Sequence, residues 1–164
     1  MTIPYQNYHS DQCTDFDGVF AAMNTAMPTP GTGVSGSPQE FLFFVSDGVA
    51  DANYPGSCTQ PTAGGGRCQE PLTVANCTTL KSRGIQIAVL YTTYLALPSN
   101  AWYMSWIDPF NQGPFGPSPN SKIAQNMQSC ASPGYYFEVS PTQGISDAMN
   151  ALFVKAVEQA RLTN

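Results

Sequence analysis

The stretch Glu40-Phe41-Leu42-Phe43-Phe44-Val45-Ser46-Asp47-Gly48 constrains most strongly what this chain can become. Five consecutive apolar residues run straight into Ser-Asp-Gly. A short continuous apolar run bounded by turn residues predicts a strand over 41–45 buried on both faces. Strands of that kind belong to parallel sheets covered by helices. In open α/β sheets ligands bind beyond the carboxyl ends of the strands. An acid and a hydroxyl, Asp47 and Ser46, therefore stand where such a fold concentrates function.

The flanking sequence repeats the same grammar. Phe16, Val19, Phe20, Met23 and Met27 recur at three and four, which predicts an amphipathic helix over 15–27 capped by Thr14 or Asp15. Pro28 and Pro30 end it, and a flexible loop follows over 31–38. Residues 49–70 read as an irregular, Gly-rich excursion. Pro71 suits a first helical position, and Leu72, Val74, Cys77, Leu80 and Lys81 predict a short helix stopped by Gly84. Ile85 to Tyr91 is a second strand, joined to the first by a crossover that should be right-handed. Residues 93–120 read as a long loop carrying Trp102, Tyr103, Trp106, Phe110 and Phe115, and a loop of that length is functional or mobile. A helix follows over 121–132, then a strand over 135–139. Ser140-Pro141-Thr142-Gln143 has the capping-box pattern. It opens a final helix with Ile145, Met149, Leu152, Phe153, Ala156 and Ala160 on its apolar face. The alternation predicts one α/β domain over 1–164, a three-layer, mostly parallel sheet with helices on both faces.

The chain's 164 residues suffice for one domain with a real core. The net charge of −5 and the scattered basic residues argue against nucleic acid as a partner. No stretch approaches the roughly 20 apolar residues of a membrane helix. The five cysteines are Cys13, Cys58, Cys68, Cys77 and Cys130. None form C-x-x-C, and with His9 the sole histidine a zinc site is not expected. Cys58 and Cys68 flank the Gly-rich loop, where a disulfide would restrain a floppy segment. This favours an oxidising compartment, and the odd count leaves one cysteine over. Met1 to Asn7 carries neither a positive region nor an apolar core of a signal peptide. An oxidised chain without an export signal reads as a piece of a longer protein whose anchoring segment lies upstream.

The chemistry concentrates at Ser46-Asp47-Gly48. A carboxylate beside a hydroxyl suits a hard cation such as Mg²⁺. The same tripeptide also suits a plain turn, because Asp-Gly commonly caps one. Asp51 is either a second acid near the strand end or a solvated loop acid. Glu138 is expected to face solvent at a sheet edge, His9 is expected at the surface, and Asp108 has no visible partner. Gly64-Gly65-Gly66-Arg67 follows no strand, so its glycines read as linker rather than a phosphate cradle. The loop with Trp102 and Trp106 either presents a sticky surface for a protein or glycan, or folds back over a sheet edge.

Phe43-Phe44-Val45-Ser46-Asp47-Gly48 resembles the fourth strand of a von Willebrand factor type A domain, which ends in Thr/Ser-Asp-Gly. Residues 39–164 resemble the TadG-like proteins of bacterial tight-adherence (Flp-type) pilus systems. The matching residues are Cys77, Leu80-Lys81, Gly84-Ile85-Gln86-Ile87, Ile123-Ala124, Cys130-Ala131-Ser132-Pro133-Gly134-Tyr135-Tyr136-Phe137-Glu138, Ile145-Ser146-Asp147-Ala148, Leu152-Phe153 and Ala160-Arg161-Leu162-Thr163. The resemblance implies a membrane anchor upstream, an extracytoplasmic domain at the periplasm or cell surface, and a non-enzymatic role in adhesion or pilus assembly through protein partners. It also implies that Cys77 pairs with Cys130. The family's metal site needs an Asp-x-Ser-x-Ser strand that this chain lacks. Only Asp47 maps to it, framed by Ser46 and Gly48, so Mg²⁺ or Mn²⁺ would bind only if the missing part were supplied. The first strands of the sheet are missing too. The chain therefore reads as the C-terminal portion of such a domain, or a shortened one. Its exposed strand edge would call for a partner segment, a dimer or a rearrangement. Two other classes stand beside this reading. One is a hydrolase with Asp47 or Asp108 as its acid, and the other is a carbohydrate-binding module using Trp102 and Trp106.

Overall fold

The computed structural model describes residues 14–53, 58–113, 121–140 and 144–162. His9, Cys13, Phe115 and the expected capping residues 141–143 lie outside them.

Helix α1 (Phe16–Ala26) starts where Asp15 accepts a hydrogen bond from the Gly18 N–H at 2.9 Å, the N-cap that its spacing predicts. It buries Phe16 and Phe20, but Val19 points outward at 54 % exposure. The apolar run forms β1 (Phe41–Ser46). Strand β2 (Val49–Asn53) pairs antiparallel with β3 (Arg67–Pro71), with Ala52 opposite Cys68. The ends of the predicted excursion are thus a β-ribbon, and Pro71 closes a strand instead of opening a helix. Asp51, Asn53 and Arg67 are poor strand formers in isolation, and pairing supplies what propensity lacks. Helix α2 (Val74–Ser82) ends at Gly84, whose φ of 92° and bond to the Lys81 carbonyl give the expected glycine stop.

Strand β4 (Gln86–Thr92) lies between β1 and β5 (Tyr136–Val139), and all three strands run parallel. Between β4 and β5 lie α3 (Ala101–Trp106) and α4 (Lys122–Cys130); α5 (Ile145–Leu162) closes the described chain. The segment read as one long loop therefore contains a helix. Its start signal is Asn100, whose side chain accepts from the Tyr103 N–H at 2.8 Å.

The sheet separates two apolar clusters. Ile87, Val89 and Tyr91 of β4 join Phe16, Phe20, Leu80, Ile123 and Met127 on one face. Ala88 and Leu90 join Tyr135, Leu152 and Ala156 on the other. Burying each large side chain of this core stabilises the fold by about 1.5–3 kcal/mol. The strand covered on both faces is thus β4, not β1. Among the described residues β1 is an edge strand: Phe44 packs edge-on against Phe16 and Phe20, while Phe43 and Val45 remain 37 % and 45 % exposed. On α5, Leu152 and Ala156 are buried, but Ile145 and Phe153 are exposed.

Two disulfides tie the framework together. Cys58–Cys68 staples the ribbon to the excursion that follows β2, and Cys77–Cys130 joins α2 to α4.

Candidate functional site

The carboxyl end of β1 makes a tight turn whose side chains serve the turn itself. The Ser46 hydroxyl accepts from the Gly48 N–H at 3.0 Å, and the Asp47 carboxylate accepts from the Val49 N–H at 3.2 Å. Gly48 has a φ of 77°, and a Cβ there would lie 2.7 Å from both Ile123 Cγ2 and Met127 Cγ on α4. Backbone hand and helix packing therefore both demand glycine. The bare hydrogen lets the turn after β1 close down onto α4.

Asp47 is exposed at the rim. The protein mass around it still raises its carboxyl above the ordinary value, opposed by the Val49 N–H, its own N–H and the Ser46 hydroxyl. Solvent access keeps the energetic consequence small. Tyr91 stands opposite Ser46 in the sheet and is fully buried. Its hydroxyl accepts from the Tyr94 N–H at 3.1 Å. Burial pushes this phenol up to about 12, and the negative charges of Glu138 and Asp47 add to the effect. Tyr94 is raised by burial first, then by Asp47, Tyr103 and Asp51. Glu138 lies on the β5 edge but is half-buried, not simply solvated. It accepts from the Thr93 hydroxyl at 3.1 Å and from the Tyr136 hydroxyl at 3.0 Å. Burial and this carboxylate together hold the Tyr136 phenol far above its usual range.

A second constellation forms on the ribbon. Asp51 is not a solvated loop acid: Arg67 grips it through two guanidinium nitrogens, with Nε 3.0 Å from Oδ1. The same guanidinium lies 5.1 Å over the Trp102 ring. The Trp102 indole N–H donates to the Gln69 side-chain oxygen at 2.6 Å, and Trp106 stands 5.9 Å away with its plane tilted by 50°. The structure thus gathers Asp51, Trp102 and Trp106 into one surface. Asp108 sits on a separate 3₁₀ turn (Asp108–Phe110), where its carbonyl accepts from the Asn111 N–H and the Gln112 side chain. Arg67 and Gln69 were hidden by the linker reading of the glycines. The signal was there: alternate residues of Arg67-Cys68-Gln69-Glu70 share a face once they pair with β2.

Among the described residues the trio of metal-ligand side chains close enough to share an ion is Cys58, Cys68 and Glu70. The disulfide removes both sulfurs from service. Glu70 is buried and accepts from the Thr59 N–H at 2.8 Å and from the Thr59 hydroxyl, which pins the excursion. No comparable trio forms around Asp47 among the described residues. A hard divalent cation takes six or more oxygens, so Ser46 and Asp47 alone do not make a complete site.

Comparison with protein-family models, with characterised proteins and with solved structures finds no match to this chain.

Proposed function

We propose that this chain is the C-terminal portion of a von Willebrand factor A-like domain in a TadG-like protein. It acts outside the cytoplasm as a non-enzymatic adhesion or pilus-assembly module that binds other proteins. The observation carrying this reading is the placement of Ser46-Asp47-Gly48 at the carboxyl end of the edge strand of a parallel sheet. Strands continuing the sheet beyond β1 would bring their own carboxyl ends beside Asp47 and could supply the metal ligands that this chain lacks. Two disulfides support an oxidising compartment. No helix among the described residues is long and apolar enough to cross a membrane.

The binding surface runs from Asp47 to the Arg67–Trp102 stack. The 50° tilt between Trp102 and Trp106 denies them a common flat platform for a sugar chain, which favours a protein partner over a glycan. Hydrolysis fits less well. Asp47 is held by a turn, and the described residues contain no histidine to act as its base.

The test is deletion of the segment coding for 39–164 in the organism that makes it, with surface attachment and pilus number as readouts. Loss of either is expected. Unchanged attachment and piliation would refute the reading. Thiol labelling of the natively produced protein gives an independent check, because reactive thiols at both Cys77 and Cys130 would place it in a reducing compartment.

A further inference from the structure

The two edges of the sheet are built differently. β5 has four residues, and Glu138 stands within it. β1 has six residues, Phe41–Ser46, with no charge, no proline and no bulge. Natural sheets protect exposed edges with such devices, and β1 has none. Among the described residues β1 pairs with β4 alone. The Glu40 carbonyl accepts from the Gln86 N–H, so the even-numbered residues of β1 turn their backbone toward β4. The N–H and C=O groups of Phe41, Phe43 and Val45 therefore point out of the sheet. Beside them on the α5 face lies an apolar strip: Phe43 stands 6.3 Å from Phe153, itself 57 % exposed.

We propose that this edge pairs antiparallel with the β1 edge of a second copy of the chain, with Phe43 opposite Phe43 of the second copy. The segment is self-complementary in this register. Phe41 meets Val45, Leu42 meets Phe44, and each pair lies on one face of the joint sheet. All three outward-facing residues then exchange backbone hydrogen bonds. Charge fits as well: Glu40 meets Ser46 and Gln39 meets Asp47, so no carboxylate opposes another despite the net charge of −5. A shift of one residue in register would set apolar side chains on opposite faces. The inference is made for the 164-residue chain and uses the same edge as the adhesion reading, in which strands from outside this chain would take the place of the second copy.

Sedimentation velocity of the 164-residue chain over a dilution series is the first test, with a reversible dimer expected. Val45→Lys places a charge on an already exposed position, so the fold, checked by circular dichroism, should be kept. It is expected to weaken the dimer at least tenfold. Register is read in a Cys13→Ser background. Phe43→Cys should link two chains, because facing residues of a hydrogen-bonded pair lie about 5.5 Å apart, within disulfide reach. Val45→Cys should not, because its two copies lie about 14 Å apart. A monomer at all concentrations would overturn the proposal, as would a dimer indifferent to Val45→Lys. A monomer whose Phe43 and Val45 amides resist hydrogen exchange would assign the edge to another segment, and would equally overturn it.

Discussion

Replacing Cys77 and Cys130 together by alanine tests how this fold is held, because the bond joins α2 to α4 and closes the longer of the two disulfide loops. The two residues are 53 apart in sequence, and the loop they close contains β4, α3 and most of α4. Cys58 and Cys68 are 10 apart. In the chain-entropy account the longer loop contributes about 4.2 kcal/mol and the shorter about 2.7 kcal/mol at room temperature. The difference, about 1.5 kcal/mol, depends only on the logarithm of the two loop lengths. Cys77, Cys130 and Cys68 are fully buried while Cys58 is half-buried, so the cavity contribution is somewhat larger for the Cys77/Cys130 pair and acts in the same direction as loop closure. A domain of this size has roughly 5–15 kcal/mol of net stability. The Cys77→Ala/Cys130→Ala variant should therefore lose a large share of it, with its melting midpoint falling by roughly 10 °C. Equilibrium urea unfolding followed by the fluorescence of Trp102 and Trp106 measures both double variants against the parent. If the Cys77/Cys130 variant lost no more than the Cys58/Cys68 variant, the loop-closure reasoning would fail. The helices α2 and α4 would then be held by packing alone.

Three further outcomes are expected. Gly48→Ala should cost about 2–4 kcal/mol, the sum of a left-handed residue and an overpacked contact with Ile123 and Met127; a urea midpoint close to the parent's would show that the turn relaxes freely. Asp47→Asn should leave stability at neutral pH unchanged or slightly higher, because the raised carboxyl pKa means the folded state prefers the neutral form. Asp47→Ala should lose about 1 kcal/mol with the Val49 N–H contact, and equal midpoints for the two variants would contradict this. Tyr91 titrates near 12 when folded and near 10 when unfolded, so the folded state keeps its proton longer. That stabilisation is complete below pH 10 and is lost as pH rises toward 12, by about 2–3 kcal/mol. Unfolding across that window should be steeper in the parent than in Tyr91→Phe, and parallel curves would disprove the assignment.

Much of the architecture was legible in the sequence because it is local. The period of Phe16 and Phe20, the cap at Asp15, the stop at Gly84 and the β-branched run of β4 each act within a few residues of themselves. The β2–β3 ribbon was not legible, because neither segment is a good strand alone and each becomes one only by pairing with the other. Helix α3 carries no periodic signature, because its Asn100 cap precedes only six helical residues, too few for a period to emerge.

The site divides the same way. Sequence by itself determined that Ser46-Asp47-Gly48 ends a strand, since apolar run, hydroxyl, acid and glycine are consecutive. Only the tertiary structure decided that this strand lies at an edge, because an apolar run reads alike whether one neighbour covers it or two. Only the fold brought Arg67 between Asp51 and Trp102, residues separated by about a third of the chain, through contacts that no local spacing encodes. Burial by the helices, not the identity of neighbouring residues in sequence, is what lifts Tyr91 and Tyr136 out of their ordinary titration range.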